Sequence, residues 1–102
     1  MDIREFQRLM ADLYFHNDQK RGIHRTALWL MEEMGELSAE LKHDQLDLNK
    51  NAIKEEMADI YAWVASLANL LEIDLNDAVS KKYPDKCLKC GENPCVCEKN
   101  LP

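Results

Sequence analysis

Carboxylates are the residues of this sequence best placed to do chemistry. The segment LWLMEEMGEL (28–37) sets Glu32, Glu33 and Glu36 into an apolar helical pattern. Nineteen residues separate Glu36 from the next such group, Glu56 and Asp59 in EMAD. At ~100° per residue, positions i and i+3 share one side of a helix. Glu33 and Glu36 therefore project together, with Glu40 following, and Glu56 and Asp59 form a second pair. Each pair flanks an apolar stripe, Leu30 with Leu37 and Ile53 with Ile60. If those stripes pack together, four carboxylates converge in a partly buried place. Two like charges ~4 Å apart repel by about 4 kcal/mol at an effective dielectric near 20. Such groups must protonate, separate or take up a cation. Hard oxygen donors in this number suit Mg²⁺ or Mn²⁺, which also leaves room for water and phosphate oxygens. Glutamates at this spacing occur on solvated helix faces too. For Glu32 and Glu55, a quarter-turn away, the roles of outer ligand, base and solvated residue all stand open.

A second cluster has different chemistry. CLKCGENPCVC places Cys87, Cys90, Cys95 and Cys97 within eleven residues. Cys-x-x-Cys followed by Gly91 resembles a zinc knuckle, and four thiolates in a tetrahedron suit a closed, structural Zn²⁺ site. Redox-active thiols, a disulfide, an Fe–S cluster and a site shared between chains are the alternatives. His16, His24 and His43 are isolated and have no evident ligand partner.

The elements that must position these groups are helical. Gly and Pro number three each in 102 residues, which favours helices with short connections in a single domain. Helix 1 is expected over 3–16, with Asp2 and Glu5 spaced as a capping box. NDQKRG (17–22) is polar, ends in glycine and reads as a loop. Helix 2 is expected over 25–42 and helix 3 over 52–71, capped by Asn49 or Asn51. Helix 4 starts at Asp74 and stops at Tyr83, because Pro84 disfavours helix at the residue before it. The expected organisation is an all-α four-helix domain over 1–84 and a Cys-rich tail over 85–102. A bundle this small buries a limited core, so association with a second copy is expected. Trp29, Met31 and Trp63 are candidates for that interface.

Charge and hydropathy exclude some functions. The formal net charge is −6 with no basic stripe, which argues against a nucleic acid polymer as partner. A nucleotide carried in with metal ions remains compatible. No run of ~18 apolar residues is present to span a membrane. The N-terminal segment lacks an apolar signal core, so a cytoplasmic location is expected, where clustered cysteines read as metal ligands.

The paired motif resembles a known family. Glu32-Glu33-Met34-Gly35-Glu36, a spacer, then Glu56-Met57-Ala58-Asp59 is similar to the E-E-x-x-E…E-x-x-D pattern of MazG-type nucleoside triphosphate pyrophosphohydrolases. These belong to the wider all-α NTP pyrophosphatase superfamily. MEEMGELSAEL, KEEMADIYAWVASLANLLEIDL and AVSKKYP extend the likeness over roughly 28–84. The resemblance implies a MazG-like four-helix protomer that forms a homodimer or homotetramer. It implies hydrolysis between the α- and β-phosphates of a (d)NTP, giving the monophosphate and pyrophosphate. The family's Mg²⁺ (or Mn²⁺) ligands fall on Glu33, Glu36, Glu56 and Asp59, with Glu32 or Glu36 to orient or deprotonate the attacking water. Lys82 and Tyr83 are candidates for phosphate or base contacts, or they form a helix end where lysine complements the dipole and tyrosine packs. Phosphoribosyl-ATP pyrophosphohydrolase, of the same superfamily, is the near alternative. A non-catalytic zinc-knuckle adaptor, with the bundle as its dimerisation module, is the alternative of another class. The Cys-rich tail lies outside the family's core pattern, and nothing in the sequence marks the residues that recognise the base.

Overall fold

The structure, a computed structural model, describes residues 1–98. Residues 99–102, which close the expected Cys-rich tail, lie outside the described residues. The described residues form four α-helices and no strand: α1 (Ile3–Arg21), α2 (Ile23–Glu40), α3 (Lys50–Leu70) and α4 (Leu75–Lys82). A 3₁₀ turn, Gln45–Asp47, lies between α2 and α3.

Side chains fix three of the four helix starts. Asp2 accepts from the Glu5 amide and Glu5 reaches back to the Asp2 amide, completing a capping box on α1. Asn49 caps α3 through the Ala52 amide, and Asp74 caps α4 through the Asp77 amide. The first two helices depart from the sequence expectation. α1 does not stop at residue 16, and 17–22 is not a loop. Asp18 is buried and pairs with Arg21 one turn later at 2.8 Å. Lys20 and Arg21 also complement the C-terminal dipole. Polarity alone does not end a helix when its polar residues find partners within a turn. Gly22 does end it, at φ +85°, and α2 begins at the next residue. The Gly22 carbonyl then accepts from the Thr26 hydroxyl and amide.

α2 packs along α3, α3 packs against α1, and α4 lies on α1. Trp29 of α2 stacks on Trp63 of α3, with centroids 6.2 Å apart, and Phe6 of α1 meets Tyr61 of α3. A polar clamp closes the other end. Gln7 donates to Asn69 and to the Ile73 carbonyl, and its Oε1 accepts from the first amide of α4, Leu75.

The core is thin. Met10, Ala65 and Ala68 are the buried apolar residues, while Leu28, Met31, Met34 and Leu41 of α2 are each about half exposed. The outer face of α2 is thus only partly covered, because α2 packs mainly on α3, whereas α3 lies between α2 and α1. The surface of 8195 Å² exceeds the ~6,000 Å² of a compact monomer of this mass. The radius of gyration, 16.5 Å, exceeds the ~13 Å of a compact domain this long.

Candidate active site

The packing of α2 on α3 decides which carboxylates meet. One oxygen from each of Glu33, Glu56 and Asp59 lies within 4.8 Å of the other two. Glu33 and Glu56 are half-buried and Asp59 is exposed. The Oε2 atoms of Glu33 and Glu56 are buried without a hydrogen-bond partner. None of the three ion pairs among the described residues involves these groups. Burial pushes the Glu33 carboxyl above its ordinary value, and the charges of Glu36 and Asp59 add to this. The hydrogen bond to Glu33, helped by burial and by Glu36, holds Glu56 up to about 7. Burial and the neighbouring carboxylates thus favour the protonated form of both groups, as expected of like charges brought together.

Glu36 stands beside this pair, close enough to act on both, but is exposed and outside the group of three. Glu32 and Glu55 are exposed and also outside it. Lys82 ends α4 and Tyr83 follows it, both exposed, on a helix that packs on α1. The donor set fits a divalent cation. Two buried oxygens lack partners, a third lies within reach, and opposite ligands of Mg²⁺ stand ~4.2 Å apart.

Asp59 also forms part of the wall of a cavity of 270 Å³ between α1 and α3. Tyr14, Asp18, Trp63 and Ser66 line the same space. Sequence reasoning misses this feature, since it places Asp18 in a loop. The signals were the i, i+3 spacing of Asp18 and Arg21, and the position of Trp63 one turn after Asp59.

A family model, the MazG nucleotide pyrophosphohydrolase domain, matches residues 21–90. The chain belongs to the MazG family. The match contains the acidic segments of both α2 and α3 and runs on into the cysteine segment as far as Cys90. MazG membership carries a nucleotide pyrophosphohydrolase-type function in general, and the family acts on nucleoside triphosphates and generally uses a divalent metal. The comparison with curated proteins gives no match. Among the described residues of this MazG chain, no helix is long and apolar enough to cross a membrane.

The four cysteine Sγ atoms lie within 4.8 Å of one another. Cys87 and Cys97 are 3.9 Å apart, and Cys90 and Cys95 are 4.0 Å apart. Sulfurs at the corners of a zinc tetrahedron with ~2.3 Å bonds stand ~3.8 Å apart, against ~2.05 Å in a disulfide. Backbone amides of Cys90 and Lys89 lower the Cys87 thiol, and those of Val96 and Glu92 bring Cys90 down to about 6. Hydrogen bonding to Cys90, with burial, pushes Cys97 up to about 12. Gly91, at φ +76°, makes the tight turn in which its amide donates to the Cys87 carbonyl at 2.7 Å.

Proposed function

We propose that this MazG chain is a divalent-metal-dependent pyrophosphohydrolase that converts a (d)NTP to the monophosphate and pyrophosphate. The observation that carries it is the pair of buried, partnerless oxygens of Glu33 and Glu56 beside Asp59, groups that enter none of the ion pairs among the described residues. Glu33, Glu56 and Asp59 would hold Mg²⁺ or Mn²⁺, and Glu36 would complete the set from the rim. When bound, the cation supplies charge neutralisation at the phosphates and polarises the bond to be cut. Glu36 also stands where water has access, which suits it to accept the proton of the attacking water. Glu32 lies outside the cluster and has the weaker case for that role. Lys82 and Tyr83 are exposed contacts for the phosphates or base.

A homodimer or homotetramer goes with this reading. The excess surface and half-covered face of α2 match the area that stable homodimers bury. The cysteine group is read as a structural Zn²⁺ site in a tail (85–102) separable from the domain over 1–84. Four cysteines clustered at metal-ligand spacing fit a reducing, cytoplasmic compartment.

The test is incubation of the purified protein with a panel of ribo- and deoxynucleoside triphosphates and Mg²⁺, with assay of pyrophosphate. Release of pyrophosphate and monophosphate in equal amounts from at least one of them is expected. Release of pyrophosphate from phosphoribosyl-ATP alone would move the assignment to that enzyme. No release from any substrate would leave the adaptor reading.

A further inference from the structure

Two aromatic rings and a guanidinium form a stack between the α1–α2 junction and the carboxylate group. Trp29 of α2 lies nearly parallel to Trp63 of α3, with 10° between planes and 6.2 Å between centroids. The Arg21 guanidinium of α1 lies over the same Trp63, 4.7 Å from its centroid. Asp18 holds Arg21 at 2.8 Å, and Arg21 Nη1 also reaches the Thr26 hydroxyl of α2 at 3.5 Å. Arg21 thus touches all three long helices. Trp29 stands one turn before Glu33, and Trp63 one turn after Asp59. The pairing of 29 with 63 and of 33 with 59 shows that α2 and α3 run antiparallel. Residues one turn apart are neighbours on a helix, so the tryptophans form the layer next to the one in which Glu33 meets Asp59. The separation of α2 and α3 at the carboxylates is therefore set one turn away, by the stack. Asp18 is buried with its second oxygen unpartnered, a costly way to cover a ring that an apolar side chain would cover as well. What the ion pair adds is direction, since a planar guanidinium fixed by a carboxylate suits one orientation of the ring.

We infer that Arg21, Trp63 and Trp29 are positioning residues for the cation, and that their stack makes the carboxylate group selective for Mg²⁺ over Ca²⁺. This rests on the proposed metal site and names how that site chooses its ion. Glu33, Glu56 and Asp59 bring their oxygens within 4.8 Å of one another with no ion between them. Mg²⁺ demands near-ideal octahedral geometry at ~2.0–2.1 Å, whereas Ca²⁺ accepts ~2.3–2.6 Å and irregular geometry. A site whose walls are held close therefore favours Mg²⁺, and one whose walls can part loses Mg²⁺ first. The stack supplies no ligand atom, so it acts through the helices that carry Glu33 and Asp59.

The test is calorimetric titration of the intact chain with Mg²⁺ and, separately, with Ca²⁺, with tryptophan emission followed in parallel. Neither ion favours thiolates, so the titrations read the carboxylates. Trp29 and Trp63 are the only tryptophans, so the emission is that of the stack. In the wild type it should change with the same midpoint as Mg²⁺ binding, because coupling between two sites is reciprocal. Trp29→Leu opens the stack and leaves the ion pair intact. The double variant Asp18→Leu/Arg21→Met removes the pair without leaving a lone buried charge. Each is expected to weaken Mg²⁺ binding about tenfold and Ca²⁺ binding by less than about threefold. Phe6→Leu, which loses the contact of α1 with Tyr61 of α3, should leave both affinities as they are. A wild-type ratio of Mg²⁺ to Ca²⁺ affinity in both stack variants overturns the inference, as does an equal shift in Phe6→Leu or an emission that ignores Mg²⁺. Loss of helical circular dichroism in both stack variants also overturns it, by making the stack an element of folding alone. A wild type that binds neither ion defeats the proposed metal site and this inference with it. Binding with an unmoved ratio defeats this inference only.

Discussion

Glu33 and Glu56 meet only because α2 lies along α3, whereas Cys87, Cys90, Cys95 and Cys97 meet within eleven residues of chain. Both groups gather more anionic side chains than a protein tolerates without a counter-charge, and each copes differently. The carboxylates are set into helices that would form without them, so their repulsion is borne by the tertiary contact. It raises the carboxyls of both Glu33 and Glu56, the latter held up to about 7. The thiols sit in a loop with little apolar surface, where backbone amides of its own turns hold Cys87 and Cys90 toward the anionic form. One cluster is a load placed on a fold that exists already. The other is a local structure for which a metal would be the main organiser.

That contrast breaks most decisively at the carboxylates. Glu56→Gln and Asp59→Asn should each lower Mg²⁺-dependent turnover by about 10³-fold, since the several kcal/mol a bound cation supplies to phosphate chemistry is lost with its ligand. Helical content should be unchanged and the metal-free unfolding midpoint should hold or rise, because repulsion is relieved. Near-normal turnover in both variants, measured with saturating Mg²⁺, would remove the metal-site assignment. A fall in midpoint would mean that the group is structural.

The cysteine cluster should behave in the opposite sense. The purified protein is expected to hold about one Zn²⁺ per chain, retained through dialysis. Removing it with a chelator should disorder 87–97 while the helices keep their circular dichroism and turnover stays within about threefold, as expected of sites this distinct. Elemental analysis without zinc, together with four titratable thiols in native protein, would refute the assignment. Collapse of the helices on zinc removal would show that the two regions fold as one.

The smallest expected effect is on pH dependence, and it sharpens the difference between loaded and empty carboxylates. Glu33 and Glu56 both have raised folded-state values, so the native state holds more protons than the unfolded chain between the ordinary value of 4.5 and about 7. Stability of the metal-free protein should therefore be greatest at the acid end of that window and fall as pH rises through it. Cation binding requires the deprotonated forms, so added Mg²⁺ should stabilise most above about pH 7 and little near about pH 5. Thermal midpoints across that range, with and without Mg²⁺, give both slopes. A metal-free protein that grows more stable toward pH 7 would contradict the raised values of Glu33 and Glu56.

Much of this was legible in the sequence, for reasons specific to each part. The capping residues Asp2 and Asp74 act over three residues, so spacing identifies them, whereas for α3 it leaves Asn49 and Asn51 open and the structure gives Asn49. The i, i+3 pairs of α2 and α3 follow from helical periodicity, and their approach follows from the flanking stripes. The closest contact joins Glu33, Glu56 and Asp59, with Glu36 at the rim, a distinction set by helix rotation that spacing cannot supply. The cavity was hidden for another reason. Asp18 looks like a loop residue in NDQKRG, and only its pairing with Arg21 and burial against α3 show otherwise. Met34 and Leu41 also read as core from their periodicity, yet both are about half exposed. Hydrophobic spacing says that a face will be covered, not which molecule covers it.

Gly22 is the whole of the connection between α1 and α2. Nothing lies within 4 Å of where its Cβ would stand, so torsion and not space keeps a side chain away. Glu33 lies eleven residues beyond it, about 16 Å along the helix at ~1.5 Å per residue. Asp18 lies one turn before it, and its carbonyl accepts the Gly22 amide at 2.9 Å. α2 is thus an arm whose pivot is a single residue, with Glu33 carried on it toward Glu56 and Asp59 of α3. A turn of ~10° at the pivot would sweep Glu33 through about 3 Å, more than the length of a ~2.1 Å metal–oxygen bond. What the pivot governs is aim: whether Glu33 arrives close enough to Glu56 and Asp59 for one ion to touch all three.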